Sequence, residues 1–180
     1  MHNDIETVLY SEEHLRETVR SVAKQINEDY SGKQLVAICI LKGSLMFFSD
    51  LIRNLDCDVE LEFLSASSYG SSTVSSCTVK LGQPIRTDIK GKHVLIVEDI
   101  LDTGRTLSYI KAHLESLSPL SVKICTLFDK PARRCCDIQA DYKGETTEDL
   151  FIVGYGLDYN EKYRNLPYVG VLRQEIYSKK

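Results

Sequence analysis

Val94-Leu95-Ile96-Val97-Glu98-Asp99-Ile100-Leu101-Asp102-Thr103-Gly104-Arg105-Thr106 is the stretch whose reading decides the fold. Its first four residues are apolar and mostly β-branched, the pattern of a buried strand. Glu98 and Asp99 form an acidic tip, and a short polar turn runs from Asp102 to Thr106. Leu107, Ile110, Leu114 and Leu117 then recur at helical spacing. The order is strand, acidic tip, turn, helix. Backbone N–H groups at a helix start lack partners within the helix, and threonine hydroxyls stand beside them here, so the turn is an anion site that suits a phosphate. Glu98 and Asp99 would repel a phosphate. They suit a Mg²⁺ or the neutral hydroxyls of a sugar.

Outward from this unit the same grammar repeats. Leu35 to Leu41 is a continuous apolar run, as in a strand buried on both faces, and Lys42-Gly43-Ser44 follows at its carboxyl end. Leu45 to Leu55 reads as a helix. Val122 to Phe128 is another strand, ending at Asp129-Lys130-Pro131-Ala132-Arg133-Arg134; Arg133 and Arg134 read as a solvated loop. Ligands bind outside the carboxyl ends of strands in open α/β sheets, so Lys42, Glu98, Asp99 and Lys130 share one rim. Leu150 to Tyr155 reads as a further strand and Tyr168 to Leu172 as a short closing one. Near the start, Ser11 caps a helix whose apolar stripe is Leu15, Val19, Val22 and Ile26. Val59 to Ala66 and Cys77 to Leu81 are strand-like runs that could pair. Between them lies a polar, serine-rich segment, the kind of excursion that often serves as a lid.

The 180 residues suit one domain, residues 1–180, and the 43% hydrophobic content is ordinary for a globular chain. A net charge of −4 argues against non-specific nucleic-acid binding. No apolar run is long enough to span a bilayer, and the polar Met1-His2-Asn3-Asp4 start is no signal peptide. The expectation is a cytoplasmic protein whose six cysteines are free thiols.

A phosphate turn beside carboxylates fit for a metal or a ribose matches one ligand that carries all three features, phosphoribosyl pyrophosphate. The central stretch resembles the phosphoribosyl-pyrophosphate signature of the type I phosphoribosyltransferases. From about Tyr10 to Leu172 the chain resembles their hypoxanthine-guanine branch. The resemblance implies an α/β fold: an open, mainly parallel twisted sheet flanked by helices, with a small hood region and a flexible catalytic loop. It also implies Mg²⁺-dependent transfer of a 5-phosphoribosyl group from phosphoribosyl pyrophosphate to a 6-oxopurine, hypoxanthine or guanine, and a homodimer or homotetramer.

Residue by residue, the resemblance puts Thr103, Gly104, Arg105 and Thr106 on the 5′-phosphate, with Asp102 as the base that accepts the N7 proton. Glu98 and Asp99 hold the ribose hydroxyls, directly or through metal. Lys42 and Gly43 bind pyrophosphate through a Leu41–Lys42 peptide that is often cis. Ser68 and Tyr69 close over it, within a lid spanning Ser67 to Ser76. Lys130 meets the exocyclic oxygen of the purine, Phe151 stacks on its ring and the Ile152 backbone reads its edge. Asp158 and Arg164 lie near metal and pyrophosphate, so Glu98, Asp99 and Asp158 are the expected metal ligands. Two other classes compete. A nucleic-acid-binding regulator on the same fold is disfavoured by the acidic balance, and a nucleoside-triphosphatase by the lack of a Gly-x-x-x-x-Gly-Lys-[Ser/Thr] loop. Orotate and adenine transferases are the near alternatives.

Overall fold

A computed structural model describes residues 2–68, 79–82 and 84–178. Tyr69 and most of the expected lid lie outside the described residues. Two sheets organise the chain. The larger holds six strands in the order β4-β3-β2-β5-β6-β7. These are β2 (Gln34–Leu41), β3 (Asp58–Ser68), β4 (Val79–Leu81), β5 (His93–Leu101), β6 (Ser121–Asp129) and β7 (Tyr142–Thr146). All neighbouring pairs run parallel except β3 with β4, whose antiparallel register sets Ala66 opposite Leu81 and Ser68 opposite Val79. The two strand-like runs flanking the polar segment therefore do pair.

The continuous apolar runs follow from burial on both faces. In β2, Leu35, Ala37 and Cys39 pack under α1 (Glu12–Tyr30) and α2 (Leu45–Ile52). Val36, Ile38 and Ile40 point the other way, into a core shared with Leu107, Ile110 and Leu114 of α3 (Arg105–Glu115). Alternation with a period of two gives each sheet face its own core. Ser11 caps α1, its hydroxyl accepting from the His14 N–H at 3.2 Å, with Glu12 and Glu13 in the first turn.

The second sheet is the hood. It is antiparallel, in the order β1-β9-β8, and joins β1 (Ile5–Tyr10) to β9 (Val169–Leu172) and β8 (Ile152–Val153). Ile5, Val153, Tyr163 and Leu172 form its small core. The strand expected from Leu150 to Tyr155 shrinks to Ile152–Val153. Gly154, Tyr155 and Gly156 all take positive φ, at 105°, 49° and 103°, which turns the chain out of the sheet. A Cβ on Gly154 would run into the Tyr168 carbonyl. No helix among the described residues is long and apolar enough to cross a membrane.

Candidate active site

The carboxyl ends of β2, β5 and β6 build one rim. At the tip of β5, a cavity of about 240 Å³ is lined by Glu98, Asp99, Asp102, Thr103, Gly104 and Thr106 together with apolar side chains. Gly104 holds the turn that starts α3. Its φ of 84° is left-handed, and a side chain there would strike Ile138, so both backbone and space require glycine. The first-turn N–H groups of α3 have no carbonyl partners within the helix, and Gly104, Thr106 and Leu107 at its start line this cavity.

Glu98 and Asp99 are both half-buried. Burial, then the charge of Asp99, pushes the Glu98 carboxyl well above its usual range; burial likewise raises Asp99. Such a pair gains from a nearby cation. The Asp99 Oδ1 accepts from the Ile100 N–H at 2.8 Å, while a Cβ on Gly43 would collide with the Asp99 carboxylate. Glycine at 43 thus lets the β2 turn close directly over the acidic tip. The Leu41–Lys42 peptide is cis. Buried Ser44 closes the same turn, its hydroxyl donating to the Ile40 carbonyl at 2.5 Å.

Beside the β2 turn, Gly156 packs against the Gly43 carbonyl so closely that it too can carry no side chain. The following loop brings Arg164 to the rim. Its guanidinium donates to the Gly156 carbonyl at 2.8 Å and pairs with Asp158 at 2.9 Å. Glu161, absent from the expected set, lies 3.1 Å from the Lys42 ammonium and 3.5 Å from Arg164. It sets a negative charge between two cations, and Lys42 holds its carboxyl below the usual value. Its sequence signal was weak, a glutamate three residues from each of Asp158 and Arg164.

At the carboxyl end of β6, Lys130 is buried, which rules out a surface lysine at a strand end. Its ammonium donates to the Leu150 carbonyl at 2.6 Å and lies 3.7 Å from Asp149. A lysine has three donors, so this leaves donors to spare. Phe151 is no core residue. It is 38% exposed, stacked on Tyr177 of α4 (Gln174–Tyr177) at 4.8 Å and edge-on to Tyr159. Ile152 beside it is buried in β8.

The solvated loop expected for Arg133 and Arg134 is corrected. Arg134 reaches back to Asp129 and to the carbonyls of Leu101 and Ile138, tying the ends of β5 and β6 together. Half-exposed Arg133 bridges Asp102, at 3.4 Å, to Asp149, at 3.7 Å. Arg105 turns outward and donates to the Cys135 Sγ at 3.1 Å. Asp102 Oδ1 is buried with no hydrogen-bond partner among the described residues; its contact with Arg133 is an ion pair only. Such an orphaned acceptor is a mark of a site awaiting a donor.

The expected metal set is only partly assembled. Among the described residues no three of His, Cys, Asp and Glu converge to hold an ion, and Asp158 is taken up by Arg164. Glu98 and Asp99 remain a pair of hard oxygen donors, enough for a Mg²⁺ that draws its other ligands from phosphates and water. The side chain of Ser68 lies outside the described residues. A hollow of about 550 Å³ lined by Glu161 and Arg164 adjoins the rim, while one of about 480 Å³ lies away from it, against α1 and α2.

Residues 8–160 match the phosphoribosyl transferase domain. The chain belongs to the phosphoribosyltransferase family. Within it, the chain is 47% identical to a hypoxanthine-guanine phosphoribosyltransferase of Streptococcus thermophilus, over 99% of each chain. It is 48% identical to one of Staphylococcus aureus, again over 99% of each. Among solved structures, a hypoxanthine phosphoribosyltransferase from Staphylococcus aureus superposes with a TM-score of 0.94 at 47% identity, covering 98% of this chain and 96% of that one. A Trypanosoma cruzi hypoxanthine phosphoribosyltransferase gives the same TM-score at 40% identity, covering 99% and 96%. The fold is thus the type I phosphoribosyltransferase fold.

Proposed function

We propose that the chain is a purine-salvage enzyme that transfers the 5-phosphoribosyl group from phosphoribosyl pyrophosphate to hypoxanthine or guanine, giving IMP or GMP and pyrophosphate. The observation that carries this reading is the buried Lys130 ammonium beside exposed Phe151, on the same rim as the phosphate turn. An ammonium donates to the C6 carbonyl of a 6-oxopurine and meets the amino group of adenine donor to donor.

The turn Thr103–Thr106 receives the 5′-phosphate at the N-terminus of α3, and Glu98 and Asp99 take the ribose hydroxyls. Lys42 and Arg164 face the pyrophosphate once Glu161 gives way, and they stabilise the negative charge it gains on leaving. Asp102 Oδ1 accepts the N7 proton as N9 of the base attacks the anomeric carbon. Arg133 holds that carboxylate in position. Glu98 and Asp99 would hold a Mg²⁺, which supplies charge neutralisation for the pyrophosphate when bound. The same reading takes residues 1–180 as one phosphoribosyltransferase domain. It places the enzyme in the cytoplasm, in keeping with the free thiols of Cys39, Cys57, Cys125, Cys135 and Cys136. Exposed Leu61 and Phe63 on β3, with Leu45 and Met46 on α2, offer the apolar surface a homodimer or homotetramer would cover.

Initial rates with hypoxanthine, guanine, xanthine and adenine at saturating phosphoribosyl pyrophosphate test the reading. Hypoxanthine or guanine is expected to exceed adenine by orders of magnitude, and excess chelator to abolish turnover. Equal use of adenine, or turnover untouched by chelator, would overturn it.

A further inference from the structure

Cys135 and Cys136 follow the turn Pro131–Arg133, and the fold lays them against the back of the phosphate turn. The Cys135 N–H donates to the Thr103 carbonyl at 3.0 Å. Its thiol lies 3.3 Å from the same carbonyl and accepts from Arg105 Nε at 3.1 Å. Cys136 Sγ is 3.9 Å from Cys135 Sγ, and its Cβ is 3.7 Å from where a side chain on Gly104 would begin. Cys135 therefore touches Thr103 and Arg105, and Cys136 stands behind Gly104, so the pair backs three consecutive residues of the turn.

The described cysteines differ sharply. Cys39 and Cys125 are sealed in the core, and burial pushes their thiols up, Cys39 to about 11. Cys57 is raised by burial as well. Cys135 is exposed, and the Arg105 guanidinium beside it holds its thiol below the ordinary cysteine value. An exposed thiol beside a guanidinium is the reactive kind.

We propose that Cys135 and Cys136 form a thiol modification site, reactive toward small-molecule disulfides, that sets the affinity of the phosphate turn for phosphoribosyl pyrophosphate. The inference rests on the reading of Thr103–Thr106 as the 5′-phosphate site. The Cys135 thiolate attacks one sulfur of a disulfide RSSR. The S–S bond breaks, its electron pair leaves with RS⁻, and Cys135 becomes a mixed disulfide. Cys135 is oxidised as the departing half of RSSR is reduced. The sulfur then carries no charge for Arg105, so the contact at 3.1 Å weakens and the turn that Arg105 belongs to loses that anchor. Cys136, at 3.9 Å, can next attack the Cys135 sulfur and expel the second RS⁻, leaving a Cys135–Cys136 disulfide. Excess small thiol reverses both steps.

The test is incubation of the full chain with oxidised glutathione, mapping of the modified cysteines by mass spectrometry, and kinetics before and after treatment with dithiothreitol. Cys135 is expected to react before Cys57. The KM for phosphoribosyl pyrophosphate should rise roughly tenfold, the worth of one charge-assisted hydrogen bond, with kcat changing far less. Dithiothreitol should restore it. Cys135→Ser should lose the response, while Cys136→Ser should keep the glutathione adduct at Cys135 instead of passing to a disulfide. Cys135 fully modified with KM unchanged, or modified no faster than Cys57, would overturn the proposal. The unmodified enzyme is assayed alongside. Absence of phosphoribosyl transfer there would mark failure of the functional reading itself, separately from the order of labelling.

Discussion

Asp102 keeps one carboxylate oxygen buried with no hydrogen-bond donor among the described residues, and the ion pair with Arg133 is its anchor. Asp102→Asn preserves the shape of the side chain and removes the base. It is expected to lower kcat by about 10²–10⁴, while calorimetry shows phosphoribosyl pyrophosphate bound nearly as before. Loss of binding with turnover per bound substrate intact would reduce Asp102 to a shaper of the turn. Lys130 makes the second prediction. Its ammonium already serves the Leu150 carbonyl, so it is fixed in place and selective by donor chemistry. In Lys130→Gln the amide can accept as well as donate. Discrimination against adenine, worth about 10⁴–10⁵ in a site built around a hydrogen bond, should shrink while hypoxanthine turnover falls. Full discrimination in the variant would remove Lys130 from the role. The position of both on the rim was legible in the sequence because each follows the carboxyl end of a buried strand. Arg133 was not. Its partners Asp102 and Asp149 lie far apart along the chain, and no spacing connects them.

At the scale of elements, the unit β5–turn–α3 and the Ser11 cap could be read because their patterns are local. The strands β1 and β7 could not. Most side chains of β1 are exposed, and β7 mixes exposed and half-buried ones, so neither shows the apolar alternation that reveals a strand. What holds the edge of the large sheet is a polar cluster. The Lys123 ammonium of β6 donates to Asp29 of α1 at 2.7 Å and to the Tyr142 hydroxyl of β7 at 2.9 Å; that hydroxyl donates to Asp29 at 2.5 Å. The hydrogen bond from Lys123, then that from Tyr142, holds the Asp29 carboxyl below its usual value. A depressed folded-state pKa contributes stability above the unfolded value, about 3.9 for aspartate, and loses it as pH falls through the folded value. Wild type should therefore lose more thermal stability than Asp29→Asn as pH drops from 6 toward 2, as followed by circular dichroism. Parallel curves for the two proteins would show that the cluster does not link α1 to the sheet.

The whole molecule is two bodies of packing, a doubly covered sheet and a small hood, with the site where they meet. The sheet supplies the phosphate turn, the acidic tip and Lys130. The hood and the loop after it supply Phe151, Asp158, Glu161 and Arg164. Gly43 and Gly156 let the two approach, since a side chain on either would strike Asp99 or the Gly43 backbone. That closeness is invisible in the sequence, because β1 pairs with β9 across nearly the full length of the chain. The stacking of Tyr177 on Phe151 was hidden too, since no local spacing connects those two rings. The most direct test of the account is a crystal structure with IMP bound. The phosphate should sit at Thr103–Thr106, the ribose hydroxyls at Glu98 and Asp99, and the purine on Phe151 with its O6 within hydrogen-bond reach of the Lys130 ammonium. A nucleotide bound with its phosphate away from that turn, or its base away from Lys130, would contradict the account.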